Sequence, residues 1–194
     1  MTSDREDTMG EFRETRIDST PVFDGRLLRV RRDRVRLPDG REATREYILH
    51  PGAAIILPML DDERVVMVRQ YRYPVGIETL EFPAGKIDPG ESSLHTAERE
   101  LLEETGYRAA LLALAFKVLP CVGYADEQID FYLATGLTHV GHPGEDGEFL
   151  APVVMRLADL LRMADSGELT EAKTLIGAYW LSRRRSADGD LSRA

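Results

Sequence analysis

The segment GKIDPGESSLHTAERELLEETGY, residues 85–107, decides how this chain is to be read. Its second half is predicted to be a helix from about Ser92 to Thr105. Ser92 or Ser93 supplies an N-cap oxygen, and Gly106 ends the helix by reaching the left-handed region at no steric cost. Leu94, Ala97 and Leu101 recur at i, i+3 and i+7, the period of a buried stripe. Glu100, Glu103 and Glu104 fall elsewhere on the wheel. At ~100° per residue, Glu100 and Glu104 stand ~40° apart, with Glu103 about 60° to the other side of Glu100. Like charges this close cost an isolated helix about 0.2–0.5 kcal/mol per pair. The same crowding places several oxygen ligands around one hard divalent cation, which would remove the repulsion. The plainer alternative is a solvated acidic face with Arg99 and Glu103 as an i,i+4 pair. What precedes the helix favours the ligand reading. Gly85 and Gly90 permit tight turns, and Glu91 sets a carboxylate where the helix begins.

Read as Gly85, five residues, Glu91, seven residues, then Arg99-Glu100-Leu101-x-Glu103-Glu104-x-Gly106-Tyr107, the segment resembles the Nudix box at each fixed polar and glycine position. Only Tyr107 departs mildly, standing where an aliphatic residue is usual. The resemblance implies an α+β chain folded as an α/β/α sandwich, with a mixed β-sheet and an N-terminal antiparallel strand region. It implies that Glu100 and Glu104 are the principal Mg²⁺ ligands (Mn²⁺ a possible substitute). Glu103 would share the metals and the backbone carbonyl of Ala84 would join them. Glu91 and Arg99 would orient these ligands rather than react.

Outward from the box, the chain is rich in strand patterns. Leu27–Leu37 alternates charged and apolar residues, PDGR turns at 38–41, and REYIL follows at 45–49, the signature of a hairpin with a wet face. GAAIILPML (52–60) is a continuous apolar run, as in a strand buried on both faces. VVMVRQYR (65–72), LEF (80–82), 110–119, 128–135 and 148–157 read as further strands, with Pro152 pointing to an edge or bulge. Two more helices are predicted, 158–167 and one with Thr170 as N-cap. Strands dominate, one helix interrupts them and two close the chain, which is α+β rather than doubly wound. The expected organisation is a disordered tail at 1–11, an N-terminal strand region at 12–50, a hydrolase domain at 51–185 and a flexible tail at 186–194.

Composition narrows the function classes. A net charge of −9 argues against non-specific nucleic-acid binding, which needs a basic surface. It also means that an anionic substrate must be met by metal ions or a local arginine group. The single cysteine, Cys121, excludes an internal disulfide and a cysteine-based zinc site, and reads as a packed small residue. No stretch approaches the ~20 apolar residues of a membrane span. No apolar run follows a basic start. The chain therefore reads as cytoplasmic.

The flanks HPGAAIILPM, VVMVRQYRYP, LEFPAGKIDPGES and DGEF…EAKTLIGAYWL resemble the ADP-ribose and nucleotide-sugar pyrophosphatase branch, over roughly residues 20–182. That resemblance implies a homodimer whose N-terminal strands cross between subunits and a nucleoside diphosphate substrate, with ADP-ribose leading. Arg72 would contact the substrate, with Arg69 and His50 as further candidates, since a guanidinium pairs with phosphate or stacks on a base. The alternative for the arginines is ordinary edge-strand charge. The general base would come from Glu145, Asp146 or Glu148 in GEDGEF, with Glu148 nearer the metal; Gly144 and Gly147 let that loop close. Val122 stands where the branch commonly has proline, which leaves the sugar open. Asp126 and Glu127 read as structural, and Trp180 as core or dimer packing. The alternatives are a dinucleoside polyphosphate, an RNA 5′ end, or a fold that binds nucleotide without cleaving it.

Overall fold

A computed structural model describes residues 11–141 and 149–188. The chain divides into two units, residues 1–50 with 121–127 and residues 51–120 with 128–194. The first holds one antiparallel sheet of β1 (Thr15–Asp24), β2 (Arg29–Arg36) and β3 (Glu42–Leu49), in that order. The β2–β3 hairpin is the one read from the alternation. Its turn is closed by Leu37 N–H to Arg41 O at 2.8 Å and by Asp39, whose Oδ1 accepts the Arg41 N–H at 3.1 Å. The strand β1 was not read as an element. Its sequence, TRIDSTPVFD, shows no two-residue period, and all ten residues are exposed. Residues 121–127 close against β3, with Ile48 N–H bonded to Tyr124 O at 2.9 Å.

The second unit contains β4 (Ala53–Pro58), β5 (Arg64–Arg72), β6 (Ile77–Glu81), β7 (Ala84–Lys86), α1 (Ser93–Thr105), β8 (Tyr107–Val118), β9 (Ile129–His139), β10 (Leu150–Arg156), α2 (Leu157–Ser166) and α3 (Ala172–Asp188). One sheet runs β7-β4-β9-β8 and another β10-β5-β6. The first is mixed, because β4 and β9 are parallel while the remaining pairs are antiparallel. Pro152 lies on β10 opposite Val68, in the edge strand of its sheet, as the sequence suggests.

The apolar run of β4 fixes the layering. Successive strand residues face opposite sides. Ala54 and Ile56 pack with Ala97 and Leu101 of α1, together with Tyr132 and Ala134. Ile55 and Leu57 pack on the other side with Met67, Phe131, Leu157 and Leu160 of α2, and Ala178 and Leu181 of α3. Helices therefore cover both faces, the α/β/α arrangement expected for an α+β chain. Each fully buried Leu, Ile or Phe here contributes roughly 1.5–3 kcal/mol. Phe116 stacks on Phe131 at 4.4 Å and meets Trp180 at 5.3 Å, which places Trp180 in this core.

Two local readings are corrected. Leu94 is not part of the buried stripe of α1, since it is 41% exposed. The cap of α3 is Glu171 rather than Thr170. Its Oε2 accepts the Thr174 N–H at 2.7 Å and the Thr174 hydroxyl at 2.8 Å, a longer side chain doing what a shorter N-cap does. Among the described residues no helix is long and apolar enough to cross a membrane.

Candidate active site

The caps of α1 form as the sequence predicts. Ser92 is extended (φ −87°, ψ 152°) and its side chain accepts the His95 N–H at 3.2 Å. Gly106 adopts φ 74° and returns its N–H to Leu102 O at 2.8 Å. Between these ends, Thr96, Ala97, Glu100, Leu101, Glu104 and Thr105 are buried. Two carboxylates thus share the inward face with the apolar residues. Burying such groups costs several kcal/mol unless partners compensate.

The partners come from Arg99 and from β7. Arg99 Nη1 donates to Glu100 Oε1 at 2.7 Å and to Glu103 Oε2 at 3.0 Å. The Ala84 N–H donates to Glu104 Oε2 at 3.0 Å. Beside Ala84, Gly85 is required by a close approach. A Cβ on it would sit 1.7 Å from Glu100 Oε1, so the carboxylate occupies the space a side chain would need. Glycine at this position lets β7 and the acidic turn of α1 meet.

Glu91 anchors the other side of Arg99. Its carboxylate accepts from Arg99 Nε and Nη2, both at 3.1 Å, from the Thr96 hydroxyl at 2.7 Å and from the Asp88 N–H at 3.3 Å. The bonds from Arg99, aided by Thr96 and the Asp88 amide, hold the Glu91 carboxyl down at about 2 despite the opposing effect of burial. The same pairing raises the Arg99 guanidinium above its ordinary value. Both groups are therefore firmly charged at neutral pH.

The donor set is oxygen throughout, with four carboxylates (Glu91, Glu100, Glu103 and Glu104) beside one guanidinium. That charge excess and hardness suit a divalent cation such as Mg²⁺. Among the described residues no three carboxylate, imidazole or thiol side chains converge on a single ion position. Arg99 stands between Glu100 and Glu103, and Glu145, Asp146 and Glu148 lie outside the described residues.

The other candidates fall in different places. Arg72, at the end of β5, makes a two-pronged pair with Glu81 of β6, Nε to Oε1 and Nη2 to Oε2, each 2.7 Å. That pairing raises the Arg72 guanidinium, and the fields of Glu104 and Glu171 add to it. Burial alone would raise the Glu81 carboxyl, but the bonds from Arg72 and Thr79 outweigh it and hold it below its ordinary value. Neither Glu81 nor Thr79 was singled out in the sequence. The glutamate before FPAG was the available signal. Arg69 lies elsewhere, along a cleft of ≈ 260 Å³ with Ile77, Leu80, Met163 and Leu169. His50 belongs to the first unit, where its N–H bonds Asp126 Oδ1 at 2.7 Å and its ring faces Glu127 at 3.7 Å. Asp126 and Glu127, read as structural, both contact His50 here.

Comparison with known proteins gives this geometry its family. The NUDIX domain family matches residues 49–175. The nucleoside diphosphate sugar hydrolase N-terminal domain family matches residues 14–48. The chain is 34% identical over 172 residues to the methanol dehydrogenase activator of Bacillus methanolicus, covering 88% of this chain and 93% of that one. It is 33% identical over 180 residues to the ADP-ribose pyrophosphatase of Bacillus subtilis (strain 168), covering 92% and 97%. A crystal structure of an ADP compounds hydrolase superposes with a TM-score of 0.79 at 26% identity, covering 92% of this chain and 96% of that one. With one family spanning the acidic helix and its sheets and the other the strands before it, the chain belongs to the Nudix hydrolases.

Proposed function

We propose that this protein hydrolyses the diphosphate bond of ADP-ribose, or of a related nucleoside diphosphate sugar, releasing AMP and ribose 5-phosphate from ADP-ribose. The observation that carries the proposal is the pair of buried carboxylates, Glu100 and Glu104, held on one turn of α1 against the β7 backbone. Similarity to proteins named for ADP-ribose and ADP compounds supports the substrate class.

In this reading Glu100 and Glu104 hold Mg²⁺ (or Mn²⁺), joined by Glu103 and the Ala84 carbonyl. Bound there, the metal would neutralise the diphosphate and acidify the attacking water. Arg99, clamped by Glu91, keeps Glu100 and Glu103 in place without reacting. Arg72 receives phosphate oxygens, and Arg69 and His50 are further candidates for contacting the substrate. On family resemblance Glu148 is assigned a place near the metal and proton abstraction from the water to Asp146 or Glu145, with Glu103 as the candidate on α1.

Assembly as a homodimer through residues 12–50, with 51–185 as the hydrolase domain, belongs to the same proposal. It is supported by the exposed apolar side chains Ile17, Val22, Phe23, Leu27 and Leu28. A cytoplasmic location is in keeping with a single cysteine, and the net charge of −9 with a small anionic substrate rather than nucleic acid.

The test is product analysis with ADP-ribose, ADP-glucose, GDP-mannose, FAD, NADH, a dinucleoside polyphosphate and a triphosphorylated RNA, each with Mg²⁺ and with EDTA. Metal-dependent AMP release from ADP-ribose supports the proposal. Turnover confined to the polyphosphate or the RNA would overturn it.

A further inference from the structure

Glu81 is a buried carboxylate that the proposed chemistry does not use. Its side chain is 3% exposed, while that of its partner Arg72 is 43% exposed. The two do not face each other on the sheet. Arg72 pairs in register with Ile77, and Glu81 pairs with Val68, so Arg72 stands four residues along β5 from the position opposite Glu81. At ~3.3 Å per residue that is a backbone offset of about 13 Å. The arginine side chain therefore runs back along the hairpin to reach Glu81, and both prongs close at 2.7 Å. Thr79, between them on the same face of β6, fixes the acceptor by donating to Glu81 Oε1 at 2.6 Å.

This arrangement is poorly explained by stability. A buried ion pair recovers little more than its desolvation penalty, and an apolar pair of the same volume commonly does as well. Direction explains it better. Glu81 lies three residues before Ala84, whose N–H holds Glu104. Turned back toward Glu81, the Arg72 guanidinium feels the negative charge of Glu104 on α1 and of Glu171 ahead of α3. The Glu81 pair engages Nε and Nη2. Among the described residues no hydrogen bond engages Nη1, which leaves its donors for an anion.

We infer that Glu81 is a positioning residue for phosphate recognition, its carboxylate turning the Arg72 guanidinium from the tip of the β5–β6 hairpin toward the acidic turn of α1, where it meets the diphosphate. Glu81 makes no contact with substrate and acts through Arg72 alone. The inference rests on the functional reading above, in which Arg72 receives phosphate oxygens.

The experiment is a double-mutant cycle on the full chain with Arg72→Ala, Glu81→Gln and the double variant. Initial rates with Mg²⁺ and each nucleotide of the panel are read as kcat and KM separately, beside a thermal melt of each variant. Wild type active on a nucleoside diphosphate sugar is the starting point. Each single change is then expected to lower kcat/KM about 10–100-fold, as loss of an orienting partner does. The double is expected to match Arg72→Ala within about twofold, because without Arg72 the carboxylate has nothing to orient. A Glu81→Asp variant keeps the charge but withdraws it by one methylene. It should fall between wild type and Glu81→Gln, and it carries the cycle if Glu81→Gln does not fold. A double variant whose loss is the product of the single losses would overturn the positioning role and leave the hydrolase reading intact. Wild type inactive on every nucleoside diphosphate sugar would overturn the hydrolase reading, and the positioning role with it.

Discussion

The two units are built on opposite terms. In the first, only Asp33 and Val35 are buried among the described residues, and β1 is exposed along its whole length. Its side chains instead make surface ion pairs, such as Arg32 with Glu46 and Arg34 with Asp18, both at 2.8 Å. Asp33 Oδ1 is buried with no hydrogen-bond partner among the described residues, while Tyr47 donates to the other oxygen at 3.2 Å. In the second unit β4 and β9 are buried along most of their length, β5 is buried from Val65 to Val68, and helices cover both faces. A three-stranded sheet with so little apolar burial depends on surfaces beyond its own residues, whereas the second unit carries its own core. The acidic helix sits on the self-sufficient one. The carboxylates that α1 packs against β7 thus lie on the part that carries its own core.

Five substitutions probe that contrast. The largest effect is expected from Glu104→Gln, which keeps shape but removes a charge. It should lower kcat by ~100-fold or more, beyond the loss typical of an orienting group, while the melting curve stays near wild type. Steady-state rates and a melt on the same sample check both halves. Next, Phe131→Ala in the second core should cost about 3–5 kcal/mol in urea unfolding. The matching change in the first unit, Val22→Asp, should leave the urea midpoint of the second unit in place and shift the protein toward monomer in sedimentation. An unchanged assembly would remove the dimer role from that surface. A smaller effect concerns Glu91. Its carboxyl is held at about 2 against an ordinary 4.5, a depressed value, so its contribution is complete above about pH 4.5 and fades as pH falls toward 2. The stability gap between wild type and Glu91→Gln, measured by urea titration at pH 7 and pH 3, should therefore narrow at the lower pH. The smallest effect belongs to Arg34→Ala. It breaks an exposed pair, so the melting transition should not move measurably.

What the sequence discloses depends on how local the cause is. The ends of α1 are set by Ser92 and Gly106, each acting within one turn, and both were readable. The burial of β4 on two faces followed from an uninterrupted apolar run. The face that α1 turns inward was not readable from apolar period alone. The wheel put Leu94 inside, yet the buried side includes Glu100 and Glu104, because β7 brings a backbone amide and a side-chain-free glycine against them. β1 has no period to read because neither of its faces is covered by the residues around it. The Arg72–Glu81 pair depends on how a hairpin aligns residues nine apart, which spacing alone does not reveal. The box named the family at once because its glycines and carboxylates meet a single geometric demand.

Trp180 is the only tryptophan in the chain, and it lies in the second core, 5.3 Å from Phe116 with Arg184 5.6 Å from its ring centre. Its ultraviolet emission is therefore a built-in optical label for one unit. Excited at the red edge, where tyrosine does not absorb, the protein reports the loosening of α3 from Phe116. Pairing that signal with far-ultraviolet dichroism, which sees strands in both units, tests whether the two units melt together.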